Sequence, residues 1–374
     1  MNSTYCPMPF VHIYSGSDGR YDMCCHSNIS GKESKTLREK SVNDTLPFDH
    51  FLSEAMEQIR SDMLEGKEIE SCQRCYGYEK IAGRSKRVDY IKDFGHVYKP
   101  NKITLKLRIF GNYCNLSCYM CHPFNSSTRT NELISLGEEL DPNWRFEDNM
   151  RFTKVSYEEV EKNILNNIHL VDQIQITGGE PLQSVRMYEF LEKIPEEYAE
   201  SIHIGMTTNL TKTKWKNKSL DQIIKKFPHF GMKVSCDHYG DKLKYIRYPI
   251  DVDEFENNIF EFRNYLKISP CLSVLNVNDI DDIINYYQEE FKVETFFETG
   301  AIVNSPFHLT PANHKDYKIL ADKYKDNKRF SHLYTYLIGD KWLKNREEQR
   351  KKMFEYLEKL TPTRGDWKKL WDDI

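Results

Sequence analysis

Ile103-Thr104-Leu105-Lys106-Leu107-Arg108-Ile109-Phe110-Gly111-Asn112-Tyr113-Cys114-Asn115-Leu116-Ser117-Cys118-Tyr119-Met120-Cys121 is the stretch on which the reading of this chain turns. Its first half alternates apolar Leu105, Leu107 and Ile109 with Lys106 and Arg108, the period-two pattern of a strand. Its second half packs three cysteines into eight residues at the spacing C-x3-C-x2-C. Three thiolates so placed can hold three corners of one inorganic cluster and leave the fourth metal without a protein ligand. An iron–sulfur cluster with four Cys ligands mostly carries electrons, whereas an open iron can bind and activate a small molecule. Structural zinc is the competing reading. It wants four ligands, usually as two closely spaced pairs, and His122 directly after Cys121 is poorly placed to be the fourth.

Outward from this stretch, strands and helices alternate. Strands are expected at Ile103–Phe110, Gln173–Thr177, Ile202–Thr208, Met232–Cys236, Leu272–Val277 and Thr295–Val303. Amphipathic helices are expected at Tyr157–Leu170, Ser219–Phe227, Asp253–Leu266 and Ile280–Phe291. Repeated strand–helix units imply an α/β fold with a parallel sheet, either open or an incomplete barrel. Three further motifs end strands: Thr177-Gly178-Gly179-Glu180-Pro181, Thr207-Thr208-Asn209 and Ser235-Cys236-Asp237. Ligand sites of parallel α/β folds lie at the carboxyl ends of strands, so these motifs and the cysteines are expected on one rim.

Residues 1–100 read as a small domain of turns and one helix, Asp49–Leu64, and the tail from 311 to 374 as a charged helical extension. Five cysteines precede residue 76: Cys6, Cys24, Cys25, Cys72 and Cys75. Ten cysteines without a secretion signal point to metal or redox chemistry in a reducing cytoplasm. With 53 basic and 57 acidic residues, the net charge of −4 demands no polyanionic partner. No apolar run approaches the roughly 18 residues of a membrane span. Cys236 and Cys271 read as buried, inert thiols, and the Lys212–Lys218 loop as a solvated lysine-rich segment.

Cys114-x3-Cys118-x2-Cys121 followed by Gly178-Gly179-Glu180-Pro181 resembles the radical S-adenosylmethionine (radical SAM) superfamily. The resemblance implies a partial (β/α)6 TIM-type barrel over residues 101–310, with a [4Fe–4S] cluster on the three cysteines as the catalytic centre. S-adenosylmethionine would chelate the open iron, with Gly178, Gly179 and Glu180 at its methionine end and Asn209, Ser235 and Asp237 at its ribose or carboxylate. The family usually carries an aromatic residue just before the third Cys. Here Met120 holds that place, beside the adenine, and the aromatic is Tyr119. The series Cys6-x12-Gly19-x4-Cys24, then Cys72-Gln73-Arg74-Cys75, with Ile59–Gly66 and Glu79, Gly83, Ser85 and Arg87, resembles the twitch domain, the short relative of the SPASM domain. It implies an N-terminal auxiliary [4Fe–4S] cluster on Cys6, Cys24, Cys72 and Cys75, with Cys25 as the alternative to Cys24. A four-Cys zinc site is the competing reading.

The implied activity is reductive cleavage of S-adenosylmethionine and hydrogen abstraction from a peptide or protein side chain, with a flavodoxin or ferredoxin as electron donor. A carbohydrate or nucleotide-linked small molecule is the alternative substrate. From a different class, the chain could be a zinc or iron–sulfur module that recognises a partner. No membrane or nucleic-acid partner is expected.

Overall fold

The computed structural model describes residues 4–16, 21–27, 45–83, 85–100, 102–140, 155–298, 301–303, 306–327, 329–339 and 343–374. Gly19 lies outside them. The chain divides into two compact units. The first comprises Met1–Tyr113, Phe146–Thr207 and Thr213–Gly231. The second comprises Cys114–Arg145, Thr208–Lys212 and Met232–Ile374, so the boundary falls immediately before Cys114.

In the first unit, His12–Ser15 (β1) and Tyr21–Asp22 (β2) form a short antiparallel pair. β1 also runs parallel to Ile103–Leu107 (β3), with His12 opposite Thr104 and Tyr14 opposite Lys106. β3 pairs in parallel with Val171–Ile176 (β4), and β4 with His203–Thr208 (β5). The order is therefore β2-β1-β3-β4-β5. β1 is nearly all buried, which removes the alternation by which a strand announces itself and explains why residues 12–15 carry no strand signal. A two-residue hairpin, Lys214–Trp215 (β6) with Lys218–Ser219 (β7), follows β5.

The expected helix Asp49–Leu64 is two helices, Pro47–Phe51 and Glu54–Leu64. Ser53 breaks it, because its side chain accepts from Met56 N and restarts the helix as an N-cap. Tyr157–Asn166 begins at a capping box in which Ser156 and Glu159 satisfy each other's backbone donors.

In the second unit, Phe230–Ser235 (β8) runs parallel to Leu266–Ser269 (β9), from Met232 opposite Leu266 to Ser235 opposite Ser269. Leu272–Val277, read from sequence as a strand, is a turn. Ser273 N donates to Asn276 Oδ1, Leu275 N to Ser273 Oγ and Val277 N to Ser273 O. These local bonds use donors that a ladder would need. In the expected strand Thr295–Val303, the described residues make two isolated bridges, Ile268 with Thr295 and Leu272 with Ile302, and residues 299 and 300 lie outside them. The helix Arg346–Arg364 and the following residues bury Met353, Leu357, Leu360, Trp367 and Trp371 against Tyr119, Tyr245, Ile246 and Leu275. Among the described residues no helix is long and apolar enough to cross a membrane.

Candidate functional site

Backbone hydrogen bonds fix the loop Cys114–Cys121 on both sides. Ser117 N donates to Tyr248 O at 2.6 Å and Tyr119 N to Ile246 O at 2.9 Å, an antiparallel register against the segment 246–248. Helix Ser127–Ser135 supplies caps: Ser127 Oγ accepts from Cys114 N, Thr128 Oγ1 donates to Cys114 O, and Ser126 Oγ donates to Leu116 O. Cys121 N closes the loop by donating to Cys118 O at 2.9 Å.

Beneath the loop lies a buried ionic cluster that no sequence motif announces. The Glu132 carboxylate accepts from Ser117 Oγ, Arg129 and Arg364, the last at 2.6 and 2.9 Å. Arg364, the last residue of the C-terminal helix, also donates to Ser117 O and, at 2.8 Å, to Tyr245 O. Tyr356 Oη donates to Tyr119 O at 2.6 Å. Burial alone would push the Glu132 carboxyl up, but Arg364, Ser117 and Arg129 outweigh it and hold it at about 2. Tyr119, only 1% exposed, is the aromatic of the motif and anchors the loop in this core, while Met120 is half-buried against it.

None of the three cysteines is in a disulfide. Cys114 Sγ accepts from Leu116 N at 3.5 Å and from Asn209 Nδ2 at 3.7 Å. Asn209 Oδ1 in turn accepts from Thr211 N and Oγ1, which ties the Thr208–Thr211 turn to the loop. Cys118 Sγ accepts from Arg247 Nη1 at 3.5 Å. Ser235 ends β8 half-buried. Asp237 is fully buried, pairs with Arg247 at 2.8 Å and accepts from Cys271 N at 2.7 Å. Within the second unit, Asn209 thus reaches Cys114 and Arg247 links Cys118 to Asp237, while Met120 precedes Cys121 in the loop and Ser235 ends β8 two residues before Asp237. Cys236 is buried against His238 O and Tyr287 Oη, and burial pushes its thiol up to about 12. That environment suits an inert thiol.

Gly178, Gly179 and Glu180 belong to the first unit, where they pack on the two residues preceding Cys114. Glu180 N donates to Tyr113 O at 2.7 Å, and the Glu180 carboxylate caps Leu182 N at 3.0 Å. A Cβ at Gly179 would stand 2.2 Å from Tyr113 O and 2.6 Å from Asn112 C. Backbone cannot yield that distance, so Gly179→Ala is expected to destabilise the protein by about 1–3 kcal/mol, read as a lowered melting temperature.

Also in the first unit, Cys6 packs in a core with Met8, Phe10, Met56 and Met63, and Cys24 and Cys72 pack against it. Burial pushes all four expected auxiliary thiols up, Cys6 to about 12. Like charge adds to this: Cys25, Cys6 and Cys72 act on Cys24, Cys6 and Cys75 on Cys72, and Cys75 on Cys6. The Glu79, Ser85 and Arg87 series is a brace. Ser85 and Arg87 both donate to the Glu79 carboxylate, and Arg87 donates to Tyr5 O next to Cys6. Among the described residues no three His, Cys, Asp or Glu side chains converge on a point that would suit one metal ion. Thiolates are the ligand type an iron–sulfur cluster takes, and acidic groups lie near both sets, with Glu79 acting on Cys6 and Cys75, Asp22 on Cys72 and Asp237 on Cys118.

The family model of the Radical SAM superfamily matches residues 109–288. GTP 3',8-cyclase of Campylobacter lari is 31% identical over 135 residues, covering 35% of this chain and 34% of that protein. The chain therefore aligns with about a third of that relative's length. Among solved structures, native anSMEcpe with bound AdoMet is 17% identical, with 60% of each chain covered and a TM-score of 0.41. Streptococcus suis SuiB bound to S-adenosylmethionine is 16% identical, with 73% of this chain and 59% of SuiB covered and a TM-score of 0.35.

Proposed function

We propose that residues 109–288, which the family model of the Radical SAM superfamily matches, are a radical SAM domain in which Cys114, Cys118 and Cys121 hold a [4Fe–4S] cluster whose open iron takes S-adenosylmethionine. The observation that carries this reading is the trio of thiols outside any disulfide, inside the matched residues, on a loop whose backbone is fixed on both sides. One electron from the reduced cluster would split S-adenosylmethionine into methionine and a 5′-deoxyadenosyl radical, which abstracts hydrogen from the substrate. The chain's own part is placement. The Glu132–Arg364 cluster holds the loop, Asn209 faces Cys114, and Gly178, Gly179 and Glu180 shape the turn at the cofactor's methionine end. Met120 would flank the adenine, and Ser235 the ribose or carboxylate.

Cys6, Cys24, Cys72 and Cys75 would hold the auxiliary cluster, in a twitch-like region before the barrel. On that basis the substrate is a peptide or protein side chain, and the enzyme a cytoplasmic one served by a flavodoxin or ferredoxin. The local identity to GTP 3',8-cyclase favours the second reading, a nucleotide-linked small molecule. Anaerobic reconstitution with iron and sulfide, then dithionite and S-adenosylmethionine, tests the reading. About seven to eight irons per chain and formation of 5′-deoxyadenosine are expected, whereas zinc in both sites and no cofactor cleavage would refute it. Replacing Cys72 and Cys75 with Ala should remove about half of the iron and stop substrate turnover while some cofactor cleavage survives.

A further inference from the structure

Arg247 carries no motif, yet the backbone aims it at the cluster loop. The bonds Ser117 N to Tyr248 O and Tyr119 N to Ile246 O place Cys118 directly opposite Arg247. Directly opposed residues of an antiparallel pair project their side chains to the same face. The guanidinium accordingly reaches Cys118 Sγ with Nη1 at 3.5 Å and Asp237 with Nη2 at 2.8 Å. All three side chains are buried, Asp237 completely, and Asp237 is itself held by Cys271 N. Arg247 Nε has no acceptor among the described residues.

As a structural device this arrangement is costly. Burying a guanidinium and a carboxylate together rarely improves on an apolar pair of the same size. It becomes useful when a charge changes beside it. We infer that Arg247, held in place by Asp237, donates to the Cys118 sulfur and raises the reduction potential of the cluster bound there. The inference rests on the proposed cluster at Cys114, Cys118 and Cys121. Reduction adds one negative charge to that cluster, and a fixed cation at its ligand sulfur stabilises the reduced form more than the oxidised one. Asp237 moderates the effect, since its carboxylate offsets part of the guanidinium's field. Arg247 is thus a positioning and tuning residue, and Asp237 acts through it.

The two residues should shift the potential in opposite directions, which a purely structural pair would not do. In reconstituted protein carrying Cys72→Ala and Cys75→Ala, so that one cluster remains, the midpoint is read by EPR-monitored titration. Arg247→Gln is expected to lower it enough to cut the reduced-to-oxidised ratio at a fixed potential about tenfold, which is 59 mV for one electron. Asp237→Asn should raise it, and Arg247→Lys should restore most of the parent value. Should Arg247→Gln fail to fold, the upward shift in Asp237→Asn decides alone. Clusters that form at full iron content with unmoved midpoints in Arg247→Gln or Asp237→Asn overturn the inference and leave the cluster reading intact. A parent protein that binds no iron–sulfur cluster overturns both.

Discussion

Replacing Cys114, Cys118 or Cys121 with Ala is expected to abolish dithionite-dependent formation of 5′-deoxyadenosine, and the triple variant to lose about four irons per chain. The effect should be all-or-none, because the proposed cluster would be the source of the electron and two thiolates would not hold three corners of it. Folding should survive. Cys114 and Cys118 are small, buried side chains, and hydrogen bonds from Ser127, Thr128, Tyr248 and Ile246 fix the loop independently of the sulfurs. Iron analysis, circular dichroism and chromatographic detection of the nucleoside separate loss of the cluster from loss of the fold. Activity persisting in any of the three variants would remove that cysteine from the site.

Glu132→Gln is expected to destabilise the second unit by about 3–5 kcal/mol, the range for a broken buried ion pair. The neutral amide would leave Arg129 and Arg364 facing each other without the charge that now joins them. Because Arg364 also caps Ser117 O, the variant should hold iron less well after reconstitution. The pH dependence follows from the sign of the shift. Arg364, Ser117 and Arg129 outweigh burial and hold the Glu132 carboxyl at about 2, below the ordinary carboxylate range. Its contribution is complete above the unfolded value and lost as pH falls towards the folded one, about 3 kcal/mol in all. The stability gap between parent and variant should therefore be constant above about pH 6 and shrink progressively below pH 5. A gap that stays constant down to pH 3 would mean that the carboxylate is not held by its arginines.

The residues whose chemistry is local were legible in the sequence. The cysteine spacing, the Gly-Gly-Glu-Pro turn and Thr208-Asn209 declare themselves within a few residues, and the helix Ile280–Phe291 was read to its ends from its apolar stripe. What was not legible depends on distant partners. Arg247 faces Cys118 across 129 positions, and Arg364 meets Glu132 across 232. Nothing about either arginine differs locally from a solvated one. The sequence noted Tyr119 only as the aromatic one place before Met120, and its burial as a core anchor emerges from the packed C-terminal helix. β1 escaped notice because it is a four-residue strand buried on both faces. Leu272–Val277 misled in the opposite direction: its apolar content resembles a strand, but Ser273 and Asn276 turn the backbone onto itself. The signal for that turn was present in the two side chains and was outweighed by hydropathy.

The central claim is that the loop Cys114–Cys121 holds a cluster with an iron open to S-adenosylmethionine. Its most direct test is the EPR spectrum of the reduced Cys72→Ala, Cys75→Ala protein, recorded before and after S-adenosylmethionine is added. The account predicts about four irons per chain and a signal whose g-values change on addition of the cofactor. A signal indifferent to S-adenosylmethionine, or zinc in place of iron, would contradict it.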